Sequence, residues 1–294
     1  MWSTDASIYQ IEPLGVVLPK NDEDVIAVVE TANKHNVSIL PRGGGTSLAG
    51  STVGESIIMD FSRYMRNIKE VNVEEKWVRT QPGIILDELN KQISHTGLLF
   101  APDPSTSNRG NVGGALGNNS CGAHSIMWGK TVDNINTMDV VLSDGSTTQF
   151  GPVSGSQLES KMRLSNLEGN IYQSIFNIGE KNRNEILSKY PKIQRRVSGY
   201  NLDEFVGGNN FNMARFAVGS EGTLITITEA KLKLVPNPKF KGLAVLHCHD
   251  LIESMEATVA AIEMNPSAIE LIGKMILTQA KSNLKFSRLT SCIE

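Results

Sequence analysis

Three consecutive glycines, Gly43 to Gly45, limit what this chain can fold into more than any other feature. Before them, residues 22–35 have the acidic start and apolar spacing of a helix, and "VSILP" (37–41) is typical of a short strand. After them, "SIIMDFS" (56–62) predicts a second strand. A glycine run this dense costs chain entropy. We therefore expect the loop between the two strands to need bare main chain against another group.

The groups around the glycines favour an anion. Successive main-chain N–H groups in a glycine-rich turn form a concave anion site, and Arg42, Thr46 and Ser47 would add a charge and two hydroxyl donors. This combination suits a pyrophosphate. A tight turn that needs positive φ is the alternative, although three adjacent glycines exceed what a turn requires.

Two common phosphate motifs fit poorly. In the dinucleotide fingerprint, Leu48 would stand where the third glycine belongs, and a strand follows instead of a helix. "GKT" (129–131) resembles the end of a P-loop, but His124 stands where its first glycine belongs. Neither nucleotide motif is therefore our first interpretation of the glycines.

The composition is that of a globular α/β or α+β protein, with 40% hydrophobic and 20% charged residues among 294. The net charge of −3 gives no electrostatic case for nucleic acid. The three cysteines are scattered, without the spacing of a disulfide framework or a metal site. No apolar run approaches the ~20 residues that span a bilayer, and residues 1–10 lack the features of a signal peptide. We expect a cytoplasmic location, either free or peripheral at the inner membrane face.

Beyond about residue 71 the pattern changes to short strands, turns and helices. The elements that it predicts are a strand and turn at 77–83, a helix at 86–97 closed by Gly97, a hairpin at 137–150, a helix at 168–187 and a strand–turn–strand unit at 214–236. The prolines of Pro236-Asn237-Pro238 suggest a domain break. A new unit then begins with a strand at 242–249 and a helix at 251–265.

Two further stretches are rich in glycine and small polar residues. Residues 101–125 contain five glycines, and "VGSEGTL" (218–224) repeats the pattern at a turn. Such stretches cannot pack a core through their side chains, but they can lay main-chain amides along a polar ligand. We name residues 41–50, 101–125 and 218–224 the first, second and third glycine segments. Together they predict one long ligand that touches all three.

The segments carry a family resemblance. "LPRGGGTSLAG", "PDPSTSN", "GGALGNNSCGAHS", "WGKTVDN" and "GSEGTL" resemble the FAD-contacting segments of the vanillyl-alcohol oxidase superfamily, and "YPKIQRRVSGYNLDEF" (190–205) is similar to its FAD-linked D-2-hydroxyacid dehydrogenase branch. The resemblance covers residues 4 to about 275. It implies an α+β protein with a PCMH-type FAD-binding domain at 1–236, divided into subdomains at about 8–70 and 71–236. Residues 237–294 would begin an α+β cap domain that is truncated here.

The resemblance also implies which residues bind FAD. The first segment would wrap the pyrophosphate with main-chain amides, the second would line the cofactor toward its ring system, and the third would close over the nucleotide end. The predicted contacts are Pro41, Arg42, Gly43, Gly44, Gly45, Thr46, Ser47, Pro102, Asp103, Thr106, Ser107, Gly113, Gly114, Asn118, Ser120, Gly122, Ala123, Glu221 and Gly222. Some branches attach the flavin to a histidine near the first loop. Because Thr46 follows the glycines here, we expect non-covalent FAD.

The implied reaction is oxidation of a D-2-hydroxy acid to the 2-oxo acid by hydride transfer to flavin N5. A D-lactate-like acid is weakly preferred over a D-2-hydroxyglutarate-like acid. The alternatives are a chain that binds FAD without turnover and an NADPH-dependent reductase with the same flavin fold. The electron acceptor is left open between an iron–sulfur region and a membrane electron carrier.

The chain departs from the family pattern in three ways. Ile225 stands where glycine or alanine is usual, and Gly273 replaces an acidic residue. Both ends resemble interior segments. We therefore expect the family's carboxylate clamp, metal-binding histidines and general base beyond residue 294, and we predict no catalytic residue and no metal ligand within this chain.

Four other polar features have a structural and a functional interpretation. The structural interpretation is preferred for each: a structural His124, His247 and His249 at a strand end, a solvated or salt-bridged Arg195–Arg196 pair, and Cys121 as packing. The functional alternatives are a base near the flavin ring for His124, a metal pair for His247 and His249, and a partner of carboxylate or phosphate for the arginines.

Overall fold

The computed structural model describes residues 1–206 and 211–290. It divides into two compact units, Met1–Asn237 and Pro238–Glu294. Strands and helices are mixed along the first unit, which confirms the α+β class. Its strands are β1 Gly15–Val17, β2 Ile39–Arg42, β3 Ile57–Asp60, β4 Ile68–Asn72, β5 Trp77–Thr80, β6 Leu98–Leu99, β7 Ile135–Val141, β8 Thr147–Phe150, β9 Pro152–Val153, β10 Phe211–Asn212, β11 Thr226–Lys233 and β12 Val235–Pro236. Its helices are α1 Asp22–His35, α2 Leu86–Ile93, α3 Val112–Gly117, α4 Ser125–Trp128, α5 Gly155–Met162, α6 Leu167–Lys181, α7 Arg183–Lys189 and α8 Met213–Ala217.

The first sheet has three parallel strands in the order β1–β3–β2. Helix α1 begins at Asn21, whose side chain accepts the Asp24 N–H at 2.9 Å, and ends at Asn36 in the left-handed conformation. Because β2 and β3 run parallel, the chain between them must cross back along the sheet. The first glycine segment begins that crossing at the carboxyl end of β2.

The second sheet has five antiparallel strands in the order β4–β5–β11–β7–β8. The predicted hairpin at 137–150 is present as β7 and β8. Buried Leu232 and Ala230 of the central strand β11 join a core that α2, α3, α6 and α8 complete. Val25 of α1 packs in a second cluster with Met59 of β3 and Val141 of β7. Helix α1 therefore joins the two sheets.

Residues 214–217 were predicted as strand, and that prediction is wrong. They lie in α8, because the Asn212 side chain accepts the N–H groups of Ala214 and Arg215 at 3.0 and 3.2 Å and so caps a helix. The predicted helix at 168–187 is also divided, into α6 and α7, at Asn182.

The second unit contains α9 Leu251–Ile262 and α10 Lys274–Ser282. Asp250 caps α9 by accepting the Glu253 N–H at 2.9 Å, as the predicted helix required. The strand predicted at 242–249 is wrong, since these residues have no regular structure. A strand needs a neighbour for its main-chain hydrogen bonds, and the described residues of this unit include no strand.

We predict that Leu232→Ala destabilises the first unit by about 2–5 kcal/mol, because Leu232 is fully buried in the central strand. The measurement is the free energy of unfolding from a denaturant titration. Lys233→Ala is the matched control, since Lys233 is the next residue on the same strand and is exposed. Equal losses in the two variants would contradict this account of the core.

Candidate cofactor site

The first and second glycine segments pack main chain against main chain. A Cβ on Gly44 would lie 2.2 Å from the carbonyl oxygen of Arg109, and one on Gly43 would lie 2.8 Å from Oδ1 of Asn111. Real Cβ atoms do not approach a carbonyl oxygen that closely, so Gly44 permits a contact that no other residue could make without movement. The glycines therefore join two segments as well as forming a loop.

The third segment completes the arrangement. The Glu221 N–H donates to the Gly117 carbonyl at 2.9 Å, and the Gly219 N–H donates to the Leu116 carbonyl at 2.8 Å. On the other side, the Ser51 hydroxyl donates to the Glu221 carboxylate at 3.3 Å. The structure thus brings the three glycine segments together.

The first segment carries unpaired donors. Within the described chain, the main-chain N–H groups of residues 43–47 donate to no protein acceptor. The Ser47 hydroxyl is not an acceptor for these N–H groups. It accepts instead the N–H groups of Ala49 and Ser51, each at 3.2 Å, and stabilises the next turn. Successive unpaired N–H groups in a turn suit an anion.

Arg42 lies at the end of β2, and its side chain is engaged by the protein itself. Its buried guanidinium donates to the main-chain oxygens of Thr4 at 2.7 Å, Thr52 at 2.9 Å and Trp2 at 3.2 Å. Burial lowers the pKa of Arg42, while nearby carboxylates act to raise it. A direct contact between this side chain and a cofactor stays a prediction.

The two ends of the second segment are tied by Asp103. A Cβ on Gly122 would lie 2.1 Å from the Asp103 carbonyl oxygen, so this approach also needs glycine. Nδ1 of His124 lies 2.5 Å from the Asp103 carboxylate, and its ring stacks on Trp128 at 5.3 Å. Asp103 therefore fixes the orientation of the His124 imidazole.

Arg195 fastens the same region from outside. Its guanidinium donates to the Gly122 carbonyl at 2.7 Å and to the Ser125 hydroxyl at 2.8 Å. Arg196 instead forms the ion pair of the structural interpretation, with Asp203 at 2.6 Å.

The other predicted contacts of the second segment have varied settings. Gly113 packs on Pro82, whereas no atom other than those of its chain neighbours and its own helix backbone lies within 4 Å of the Cβ position of Gly114. Asn118 is exposed at the end of α3. Pro102 is buried, and Thr106, Ser107, Ser120 and Ala123 are half-buried. Gly114 and Asn118 therefore leave the most open space beside α3.

Two buried asparagines, Asn111 and Asn119, were not among the site residues predicted from the sequence. Oδ1 of Asn111 and Nδ2 of Asn119 are buried without a hydrogen-bond partner, although each side chain makes one bond through its other atom. An asparagine directly before a helix usually caps it, but the Asn111 side chain does not cap α3. That failed cap is visible only in the structure.

A cavity of about 380 Å³ borders the first and third segments. Pro41 and Gly222 form one edge, where a Cβ on Gly222 would lie 3.1 Å from the proline ring. Val29 of α1, Val141 of β7 and Ile225 are among the other lining residues. The unusual Ile225 is 8% exposed and belongs to the core. Volumes of roughly 300–1,000 Å³ are usual for ligand pockets.

The remaining polar candidates have local roles. Lys130 donates to the Gln194 carbonyl at 2.7 Å, and the His249 N–H donates to the Glu253 carboxylate at 2.6 Å. In the described ranges, no three or more His, Cys, Asp or Glu side chains are grouped to hold a metal ion. None of the helices described there has the length and apolar character needed to cross a membrane.

Comparison with known families identifies the domain that contains the first two segments. Residues 13–151 match the family described as FAD binding domain. The match covers just under half of this chain. FAD is the cofactor of this domain, and the successive unpaired N–H groups of the first segment suit its phosphates.

Curated relatives match nearly the whole chain. It is 33% identical over 287 residues to the D-2-hydroxyglutarate dehydrogenase of Pantoea ananatis (strain AJ13355), which covers 96% of this chain and 28% of that protein. Identity to the enzyme of the same name from Escherichia coli (strain K12) is 32%, over 99% of this chain and 29% of the relative. The chain therefore spans less than a third of these relatives.

More distant matches extend the same picture. The glycolate oxidase subunit GlcD of Bacillus subtilis (strain 168) is 27% identical over 99% of this chain and 52% of that protein. Among solved structures, alkyldihydroxyacetonephosphate synthase matches with a TM-score of 0.53 and 24% identity, over 76% of this chain and 32% of that one. This likeness supports the fold and nothing beyond it.

We predict that Gly44→Ala weakens FAD binding roughly tenfold or more, because the added methyl group must push the first segment away from Arg109. Quenching of flavin fluorescence on titration of the apoprotein measures the dissociation constant. Gly15→Ala, with no atom within 4 Å of its Cβ position, is the control. Unchanged affinity in Gly44→Ala would show that this contact is dispensable.

Proposed function

We propose that this chain is the FAD-binding part of an FAD-dependent D-2-hydroxyacid dehydrogenase. The observation that carries the proposal is the convergence of three glycine segments around unpaired main-chain donors, in a chain that matches such enzymes along nearly its whole length. Identities of 32–34% to D-2-hydroxyglutarate dehydrogenases, against 25% to D-lactate dehydrogenases, favour a D-2-hydroxyglutarate-like substrate. This reverses the weak preference for D-lactate that the sequence alone suggested.

The proposal orients FAD along the three segments. The N–H groups of residues 43–47 would hold the pyrophosphate, and the open face of α3 would line the cofactor toward its ring system. The cavity beside Pro41 and Gly222 would take the nucleotide end. The individual contacts predicted for the three segments remain predictions.

When bound, FAD supplies a hydride acceptor for the α-carbon of the hydroxy acid. This chain's own residues would bind and orient the cofactor, with Asp103 fixing His124 beside the second segment. We assign neither a catalytic base nor a metal ligand to these residues. The proposal includes non-covalent attachment, because Thr46 follows the glycines, and leaves the electron acceptor unassigned.

The chain, purified as it stands, should be yellow or become yellow with added FAD. D-2-Hydroxyglutarate should bleach the flavin absorbance under anaerobic conditions, and D-lactate should do so more slowly. The L-isomers are the matched controls. Acid precipitation should release the flavin into the supernatant if the attachment is non-covalent.

Each other outcome selects a different function. A yellow protein that neither D-2-hydroxyglutarate nor D-lactate bleaches would be a chain that binds FAD without turnover. Bleaching by NADPH instead would favour the reductase. A folded protein that takes up no FAD would contradict the cofactor placement as well as the reaction.

We predict that Gly114→Ala weakens FAD binding while leaving the stability of the apoprotein unchanged or slightly raised. The Cβ position meets no atom beyond its chain neighbours and its own helix backbone, and alanine is favoured over glycine in a helix by roughly 0.5–1 kcal/mol. Gly155→Ala, equally open but outside the segments, is the control. Unchanged FAD affinity in Gly114→Ala would place the cofactor away from this face of α3.

A further inference from the structure

A short segment before β1 lies against the first glycine segment. We name residues 2–10 the strap. It folds back on itself, with Thr4 bridged to Gln10 and the Ile11 N–H donating to the Ser3 carbonyl at 2.9 Å. Its Ala6 N–H donates to the Gly45 carbonyl at 3.0 Å.

Few hydrogen bonds hold residues 43–46 of the first glycine segment, so the bond from Ala6 to Gly45 stands out. Among the described residues, it is the only hydrogen bond that the main chain of residues 43–46 makes. Glycines lose much conformational freedom when they are ordered. Because residues 43–46 have no hydrogen bonds among themselves, neighbouring residues must impose their conformation.

Arg42 connects the strap to the loop. Its guanidinium donates to two strap carbonyls, Thr4 at 2.7 Å and Trp2 at 3.2 Å, and to Thr52 at 2.9 Å on the far side of the loop. The same group lies under Gly45, whose Cβ position would be 2.6 Å from Nη2. Arg42 forms no ion pair within 4 Å in the described residues, so its donors serve neutral carbonyls.

Asp5 makes a second, separate connection. Its carboxylate accepts the Thr52 hydroxyl at 2.9 Å and the Ser7 N–H at 2.8 Å. Burial acts to raise the pKa of Asp5, but the hydrogen bonds from Ser7 and Thr52 outweigh it and lower the pKa. On the opposite side, the Trp2 indole donates to Asp60 of β3 at 2.8 Å. The strap is therefore held at Thr52, within the crossing between β2 and β3, and at Asp60, which pairs with Arg42 across the two strands.

We infer that Arg42 is a positioning residue for FAD, which clamps the strap onto the first glycine segment and so holds its N–H groups ready for the pyrophosphate. The inference rests on the proposed placement of FAD along this segment. It differs from the charge-to-phosphate contact that the sequence suggested, because Arg42 acts through the strap. Since linkage is reciprocal, bound FAD must also stabilise the docked strap.

The test compares variants of the whole chain by FAD affinity and by hydrogen exchange of the strap. Arg42→Gln should weaken FAD binding roughly tenfold to a hundredfold and make Ala6 exchange at least about tenfold faster without FAD. Asp5→Ala should act in the same direction, although the Asp5 carboxylate is hydrogen-bonded to Ser7 and Thr52 and to neither Arg42 nor residues 43–47. Because both changes undock one element, the double variant should lose little more affinity than Arg42→Gln alone. In the unaltered chain, FAD should slow exchange of the strap.

Ile8→Ser is the matched control, because Ile8 belongs to the strap but is 95% exposed. It should leave affinity and exchange unchanged. If Arg42→Gln fails to fold, Asp5→Ala and the effect of FAD on strap exchange still decide the question.

Three results would overturn the inference. Arg42→Gln could lose FAD while its strap stays protected and Asp5→Ala binds normally, which would indicate direct contact with the phosphates. FAD could leave strap exchange unchanged, or Arg42→Gln could bind FAD as well as the unaltered chain. Failure of the unaltered chain to bind FAD is a distinct result, since it would contradict the proposed function itself.

Discussion

The site depends on the close approach of main chain to main chain between segments from distant parts of the sequence. Gly44 lies against the Arg109 carbonyl, and Gly122 lies against that of Asp103. A single methyl group at either position would require backbone movement. The Ser51–Glu221 hydrogen bond and the contact of Gly222 with Pro41 join the first segment, which follows a strand of one sheet, to the third, which precedes a strand of the other.

The first glycine segment has unpaired main-chain donors, and surrounding side chains hold it in place. The N–H groups of residues 43–47 would lose their use for a ligand if the protein itself bonded them. Order is supplied instead by side chains around the loop, with Arg42 on one side and the Ser47–Ser51–Glu221 chain on the other. A binding loop of this kind gains its shape without giving up its donors, which is the requirement for a preorganised anion site.

Local signals were sufficient for part of the fold. Helix α1, helix α2 and the β7–β8 hairpin lie where the sequence placed them, because their caps, period and turn residues act within a few positions. Residues 214–217 and 242–249 were misassigned. The first depends on a cap from Asn212 that overrides strand preference, and the second depends on a partner strand, which local sequence does not reveal.

The sequence by itself determined the α+β class and three glycine segments that suit one long polar ligand, and the family resemblance of those segments implied FAD. These properties depend on residue types and their order along the chain. Only the tertiary structure decided what Arg42 touches, that Asp103 orients His124, and that Asn111 leaves its helix uncapped. Each of these is a choice among several hydrogen-bond partners of similar strength. Which partner wins depends on the distances set by packing of segments far apart in the chain.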